Sequence, residues 1–341
     1  MWMIWRSPAV GLLVEVAEDA AKERLERLLT RDVTPQSIGG RLTTRLSEDP
    51  RDWAAIDALT TLATDQDITL PEKVAAALDE AHTEDRTLIM TVRKCWSCAF
   101  NPAKCDLSGI VLCNVGVSLS PIGDVTSIVR ESGHYMFGQE VDDIDLFLSA
   151  IGLSAVALTA PTGGSALVIK AGAGLAKTAY KVGALSEPVL RLARQIAKTG
   201  VDWPMVARAR PATFSADLAR AIRPEIVAPA MAFLASAHEI KAATNIKDSL
   251  YLISKADDIT DMRRISVAAK VLGPRTTGTM ELIGKSRIFR AITRWSDEVY
   301  AVIASAVTLI VAIFGLILSA GKSLTLRWLR RTARPEGSRA D

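Results

Sequence analysis

"VYAVIASAVTLIVAIFGLILSA", Val299 to Ala320, runs for 22 residues without a charge and is rich in Ile, Val, Leu and Ala. At 1.5 Å per residue it spans roughly 33 Å, enough to cross a hydrocarbon core of about 30 Å. Trp295 precedes the run and Trp328 follows it, the placement that indole rings favour at a headgroup layer. A buried core helix of this length would carry a polar stripe, so the run predicts a transmembrane helix. Beyond it, Arg327, Arg330, Arg331 and Arg334 recur at i, i+3, i+4 and i+7. That spacing makes one face of a helix suited to anionic lipid, and basic residues accumulate on the cytoplasmic side. A basic tail directly after a span makes lipid a simpler partner than nucleic acid. The expectation is a bacterial inner-membrane protein with a cytoplasmic C-terminus.

Bulk composition agrees with a membrane association. The 341 residues are 49% hydrophobic, the mean hydropathy is +0.21, and 41 Lys+Arg against 38 Asp+Glu leave a net charge of only +3. Such a balance carries no excess for nucleic-acid binding. The start, "MWMIWRSPAVGLLVEV", lacks a cleavage site and is broken by Arg6, Pro8 and Glu15, so it reads as an interfacial or docking helix. Glu18/Lys22 and Glu23/Arg27 follow as i,i+4 pairs of a solvated helix.

From there to about residue 106 the pattern is one of small helices. Asp49-Pro50 and Leu70-Pro71 mark helix starts; Ala54, Ile56, Leu59 and Leu62 form one apolar face, and Val74, Ala77 and Leu78 another. Residues 107–182 are apolar and Gly-rich. The stretch 107–123 is uncharged, a polar part with Glu140, Asp142, Asp143 and Asp145 follows, and Leu146 to Ile169 is again uncharged with a Pro161-Thr-Gly163-Gly164 break. Two half-helices joined at such a turn predict either a membrane-dipping hairpin or an αα-hairpin inside a helical domain. Gly163, Gly164, Gly172 and Gly174 are the positions at which helices could approach closely, with Lys170, Lys177 and Lys181 as a basic edge. Residues 183–298 return to amphipathic helices punctuated by Pro188, Pro204, Pro211, Pro224, Pro229 and Pro274. The segment Asp257 to Gly273 reads as a capped helix with an acidic start and a Gly-Pro stop. The domain scheme is therefore 1–106, 107–182, 183–298, the span 299–320 and the tail 321–341, in an all-α protein. If both inner zones crossed fully, the basic tail would lie outside, so one or two crossings fit the charge rule better than three.

All four cysteines fall between 95 and 113, as C-x2-C-x6-C-x7-C: Cys95, Cys98, Cys105 and Cys113. Only one close pair exists and Cys113 sits among Val111 and Leu112, which ranks zinc or a redox pair last. Disulfides come first if this region is extracytoplasmic and free thiols second. His82, His134 and His238 are the three histidines, and none has a partner at metal or triad spacing, so each is expected to be satisfied at the surface or in the core. Two Gly-Lys-Ser triplets, at Gly284 and Gly321, lack the glycine five positions earlier that a P-loop requires; Thr279 and Leu316 stand there. No cofactor, metal or small-molecule substrate is inferred.

"LSPIGDV", residues 119–125, then Gly138, Asp145 leading "LFLSAIGL", and Pro161 with Gly163-Gly164 resemble the helical pre-toxin region of bacterial polymorphic toxins, over residues 119–164. The resemblance implies a membrane-associated or linker helical module with no catalytic residue to carry over. Here, further helices and an apolar run follow in place of a toxin domain. The function expected is non-enzymatic: a membrane-anchored helical scaffold, assembly or translocation component of a bacterial envelope, working with lipid and with a protein partner or a second copy. The alternative is a pore-forming or toxin-associated protein whose central hairpin inserts into membranes.

Overall fold

The computed structural model describes residues 22–85, 142–158, 165–208 and 214–292. The chain divides into two units, Ala21–Ile292 and a second made of Met1–Ala20 with Thr293–Asp341. The second unit lies outside the described residues, as do the apolar run 299–320, the arginines 327–334, the four cysteines, His134, Gly163 and Gly164.

The described part is helical, with no strand beyond a single antiparallel bridge between Val201 and Ile222. Its helices are α1 (22–32), α2 (Pro35–Leu46), α3 (Trp53–Asp65), α4 (Glu72–Asp85), α5 (Asp143–Leu158), α6 (Ser165–Lys181), α7 (Glu187–Thr199), α8 (Trp203–Ala207), α9 (Phe214–Ala221), α10 (Pro224–Ala243), α11 (Ile246–Ser254), α12 (Ile259–Leu272), α13 (Thr276–Ile283) and α14 (285–292), with a 3-10 turn at Gly273–Arg275. No helix among the described residues is long and apolar enough to cross a membrane.

Local chemistry sets the ends of these helices. Thr34 and Ser37 form a reciprocal capping box at the start of α2. Asp52 accepts from Ala54 and Ala55 N–H groups at 3.1 and 3.2 Å to begin α3. The Asp257–Gly273 segment forms α12: Asp258 accepts from Asp261 N at 2.7 Å, and Gly273 at φ +56° ends the helix. Pro188 and Pro224 stand in first turns, whereas Pro50, expected to open a helix, precedes α3 and its cap Asp52. Pro229 differs, because α10 continues through it. It lies near the start of the helix, where the ring forfeits one hydrogen bond, to the Glu225 carbonyl, and the packing of the remaining turns outweighs that loss.

Burial then assembles the helices. Ala54, Ile56, Leu59 and Leu62 of α3 are fully enclosed, whereas Ala77 of α4 is exposed and that helix buries chiefly Ala81. α5 packs on α6, and the pair is covered by α7, α9, α10 and α11. For its described residues, the apolar zone around Leu146–Ile169 is thus an αα pair inside a helical unit. α3 packs against α2, α11 and α13, so the first helices share one core with residues 246–292, running from Leu25 to Ile292. Ion pairs fasten the same junction: Lys247 to Asp57 at 2.6 Å, Arg275 to Glu26 at 2.6 Å and Arg287 to Asp32 at 2.8 Å.

Two glycines mark backbone-close crossings. A Cβ on Gly172 would sit 2.0 Å from the Leu234 carbonyl oxygen, and one on Gly278 would sit 2.4 Å from that of Ala58. These fix α6 against α10 and α13 against α3. Gly174 is half-buried, its carbonyl accepting from Thr178 Oγ1 at 2.9 Å.

Candidate functional site

Three groupings of charged and polar side chains tie helices together in or beside the core. The first is Glu281, on α13, whose neighbours Thr276 to Ile283 are otherwise uncharged. Its side chain is 3% exposed and its Oε1 receives Arg41 Nη2 at 2.8 Å and Arg45 Nη2 at 2.6 Å. Tyr251 Oη donates to Oε2, and Glu48 holds the other side of Arg45 at 2.9 Å. Burial opposes ionisation of Glu281, but the hydrogen bonds from Tyr251 and Arg45 and the two guanidinium charges outweigh it, keeping the carboxyl below the usual range. Burial and that carboxylate push the Tyr251 hydroxyl up. The node joins α2, α11 and α13, with Glu281 enclosed and Arg41 41% exposed at its edge.

The second lies between α5 and α6. Lys177 and Asp145 are each 1% exposed, with 3.5 Å between Nζ and Oδ1, and Lys181 approaches the same oxygen at 3.5 Å. Lys177 also donates to Ser149 Oγ at 2.7 Å, while Ser149 donates to the Asp145 carbonyl at 2.7 Å. Ser149 and Lys177 are both enclosed, at 0 and 1% exposure, and the contact links α5 to α6. The sequence reading of Lys177 as part of a basic edge is corrected accordingly, and Asp145 of the polar stretch is buried: Asp142 caps α5, accepting from Asp145 N at 3.1 Å, and Asp145 and Lys177 face each other in the core, because a charge on the buried face of a helix can be enclosed only beside its opposite.

The third is Ser266 on α12, which donates to Glu239 of α10, itself paired with Lys270 at 2.7 Å. The histidines take no part in a catalytic grouping among the described residues. His82 packs its ring on Trp53, centroids 4.5 Å apart. His238, expected to be satisfied, has Nδ1 buried with no hydrogen-bond partner among the described residues. Lys285 of the first Gly-Lys-Ser triplet is tied to Asp257 and Asp261 at 2.6 and 2.5 Å, a bond between α14 and the start of α12. Among the described residues no group of His, Cys, Asp and Glu is arranged to hold a metal.

One concave surface among the described residues is apolar. A cavity of about 210 Å³ lies between α5, α6, α7 and α10, with Phe147, Leu192, Ile196, Pro229 and Phe233 in its wall. Asp257 and Asp258 are the charged residues of that lining. Sequence reasoning passed over this cavity, whose walls come from four helices distant in the chain. It also passed over the Glu281 node, for which a signal existed: a single carboxylate in "TTGTMELIG".

Comparison with known protein families, with curated proteins and with solved structures yields no match.

Proposed function

We propose that the protein is a non-enzymatic, membrane-anchored helical component of a bacterial envelope that scaffolds, assembles or helps to translocate a partner. One observation carries the reading: the 22 uncharged residues from Val299 to Ala320 between Trp295 and Trp328, followed by the stripe Arg327, Arg330, Arg331 and Arg334. The run supplies the anchor and the arginines the contact with anionic lipid. The helical unit supports the non-enzymatic part, since its buried charges at Glu281 and Asp145, and the partly exposed Glu239, act as ties between helices. Gly172 lends the α6–α10 pair a backbone-close contact, and the bacterial envelope follows from the likeness of residues 119–164 to pre-toxin regions.

The test is alkaline-carbonate extraction of membranes from cells expressing the full chain. The full chain stays in the pellet and a variant lacking 299–320 is released; release of the full chain would overturn the anchor. A reporter fused after Asp341 that is active only in the cytoplasm sets the tail's side. Maleimide labelling of Cys95 and Cys98 in intact cells, with and without reductant, sets the side and redox state of the cysteine region.

A pore-forming role is the second reading, favoured by α5, whose Ile144, Phe147, Leu148, Ile151 and Ala155 are all buried beneath other helices. Dye leakage from liposomes exposed to the full chain supports that reading, and intact liposomes overturn it.

A further inference from the structure

The cavity beneath α7 has an identifiable origin. Ala176 of α6, Ala193 of α7 and Ala230 of α10 all line it, so three helices present short side chains to the same space. α10 is held to α6 at Leu234 by Gly172, and Pro229 one turn earlier forfeits a helix bond beside the void. A larger side chain at any of the three alanines would have filled it. Protein interiors rarely leave such a space, and an apolar cavity of about 150 Å³ is large enough to take up benzene; this one is about 210 Å³.

The charged part of the wall has one sign. Asp257 and Asp258 are both exposed. Asp258 caps α12 through Asp261 N at 2.7 Å. Asp257 meets Lys285 at 2.6 Å, a lysine that also serves Asp261. Asp257 and Asp261 thus share one ammonium, with Arg264 4.0 Å from Asp261, while Asp258 makes no ion pair among the described residues. The charged residues of α7 near this end, Glu187, Arg191 and Arg194, are on its exposed side and pair with each other at 3.6 and 3.8 Å.

We propose that this cavity is a binding site for a small apolar amine: one ring or a short alkyl chain fills the space, and its ammonium is met by Asp257 and Asp258. The apolar wall selects the body of the ligand, and Asp258, with Asp257 beside it, selects its charge. The lining residues of the site all belong to the Ala21–Ile292 unit, so its test does not rest on the proposed membrane anchor.

The experiment measures binding of 2-phenylethylamine, 2-phenylethanol and 3-phenylpropanoate to the full chain by calorimetry at neutral pH. The expected result is saturable binding of the amine, at least about ten-fold tighter than the alcohol, with the carboxylate weakest. Ala193→Phe removes binding of all three while the folded chain survives, and Ala230→Leu serves the same purpose if the first variant fails to fold. Asp258→Asn, which keeps a capping side chain, together with Asp257→Asn, brings amine and alcohol to equal affinity. No saturable binding to the unaltered chain, or unchanged binding in a folded cavity-filled variant, overturns the site. Equal affinity of amine and alcohol for the unaltered chain overturns the role given to the two carboxylates.

Discussion

Glu281 shows how one residue ties three helices together. Its carboxylate is taken out of water and surrounded by Arg41, Arg45 and Tyr251, so removing it leaves the guanidinium of Arg45, itself 17% exposed, with Glu48 alone. Glu281→Ala is expected to lower stability by about 3 kcal/mol at neutral pH, the range for a buried pair that loses one member. The check is urea denaturation at pH 7. The pH dependence has a definite sign. The folded carboxyl titrates below its unfolded value, so its contribution is complete above pH about 5 and is lost as the pH falls through the carboxylate range. Tyr251 is raised instead, so its contribution is complete below pH about 10 and is lost above it. Asp248 runs against Glu281 on the acid side, since burial raises its carboxyl. The gap in stability between the unaltered chain and Glu281→Gln isolates the node, and is expected to shrink below pH about 4.

At the scale of elements, two helical glycines of opposite character test the packing. Gly172 has the Leu234 carbonyl where a methyl would go, at 2.0 Å, whereas Gly40 on α2 has nothing within 4 Å. Gly172→Ala must push α6 and α10 apart, and is expected to cost about 2 to 3 kcal/mol, as overpacked contacts do. Gly40→Ala relieves only backbone entropy and is expected to add about 0.5 to 1 kcal/mol. Thermal unfolding of the two variants reads both. A Gly172→Ala chain as stable as the parent would mean that the α6–α10 crossing is not backbone-close.

At the scale of the whole unit, the core running from Leu25 to Ile292 makes the first helices and residues 246–292 one cooperative body. Leu59→Ala on α3 and Ile265→Ala on α12, both fully buried, are each expected to remove about 2 to 5 kcal/mol. Both are expected to lower a single transition. Hydrogen exchange in 22–85 and 246–292 checks this, since the two stretches should lose protection together; separate transitions would show two independent cores.

Helical class, the start of α4 beside Pro71 and the α12 caps were legible along the chain, because capping groups, prolines and the period of apolar residues act within a few positions. Ala54, Ile56, Leu59 and Leu62 declare their buried face by spacing alone. The uncharged run 299–320 and its arginine stripe are likewise properties of the sequence. Partners across distance were not legible. Asp145 looked like part of a solvated polar stretch until Lys177 was seen opposite it, and Pro229 looked like a break until the packing of α10 carried the helix past it. Spacing within a segment records which face a helix buries; it holds no record of what that face meets. The Arg41–Arg45–Glu281–Tyr251 node, the crossing at Gly172 and the cavity between four helices were therefore decided only by the tertiary structure, where low-dielectric surroundings and close packing force distant residues to satisfy one another.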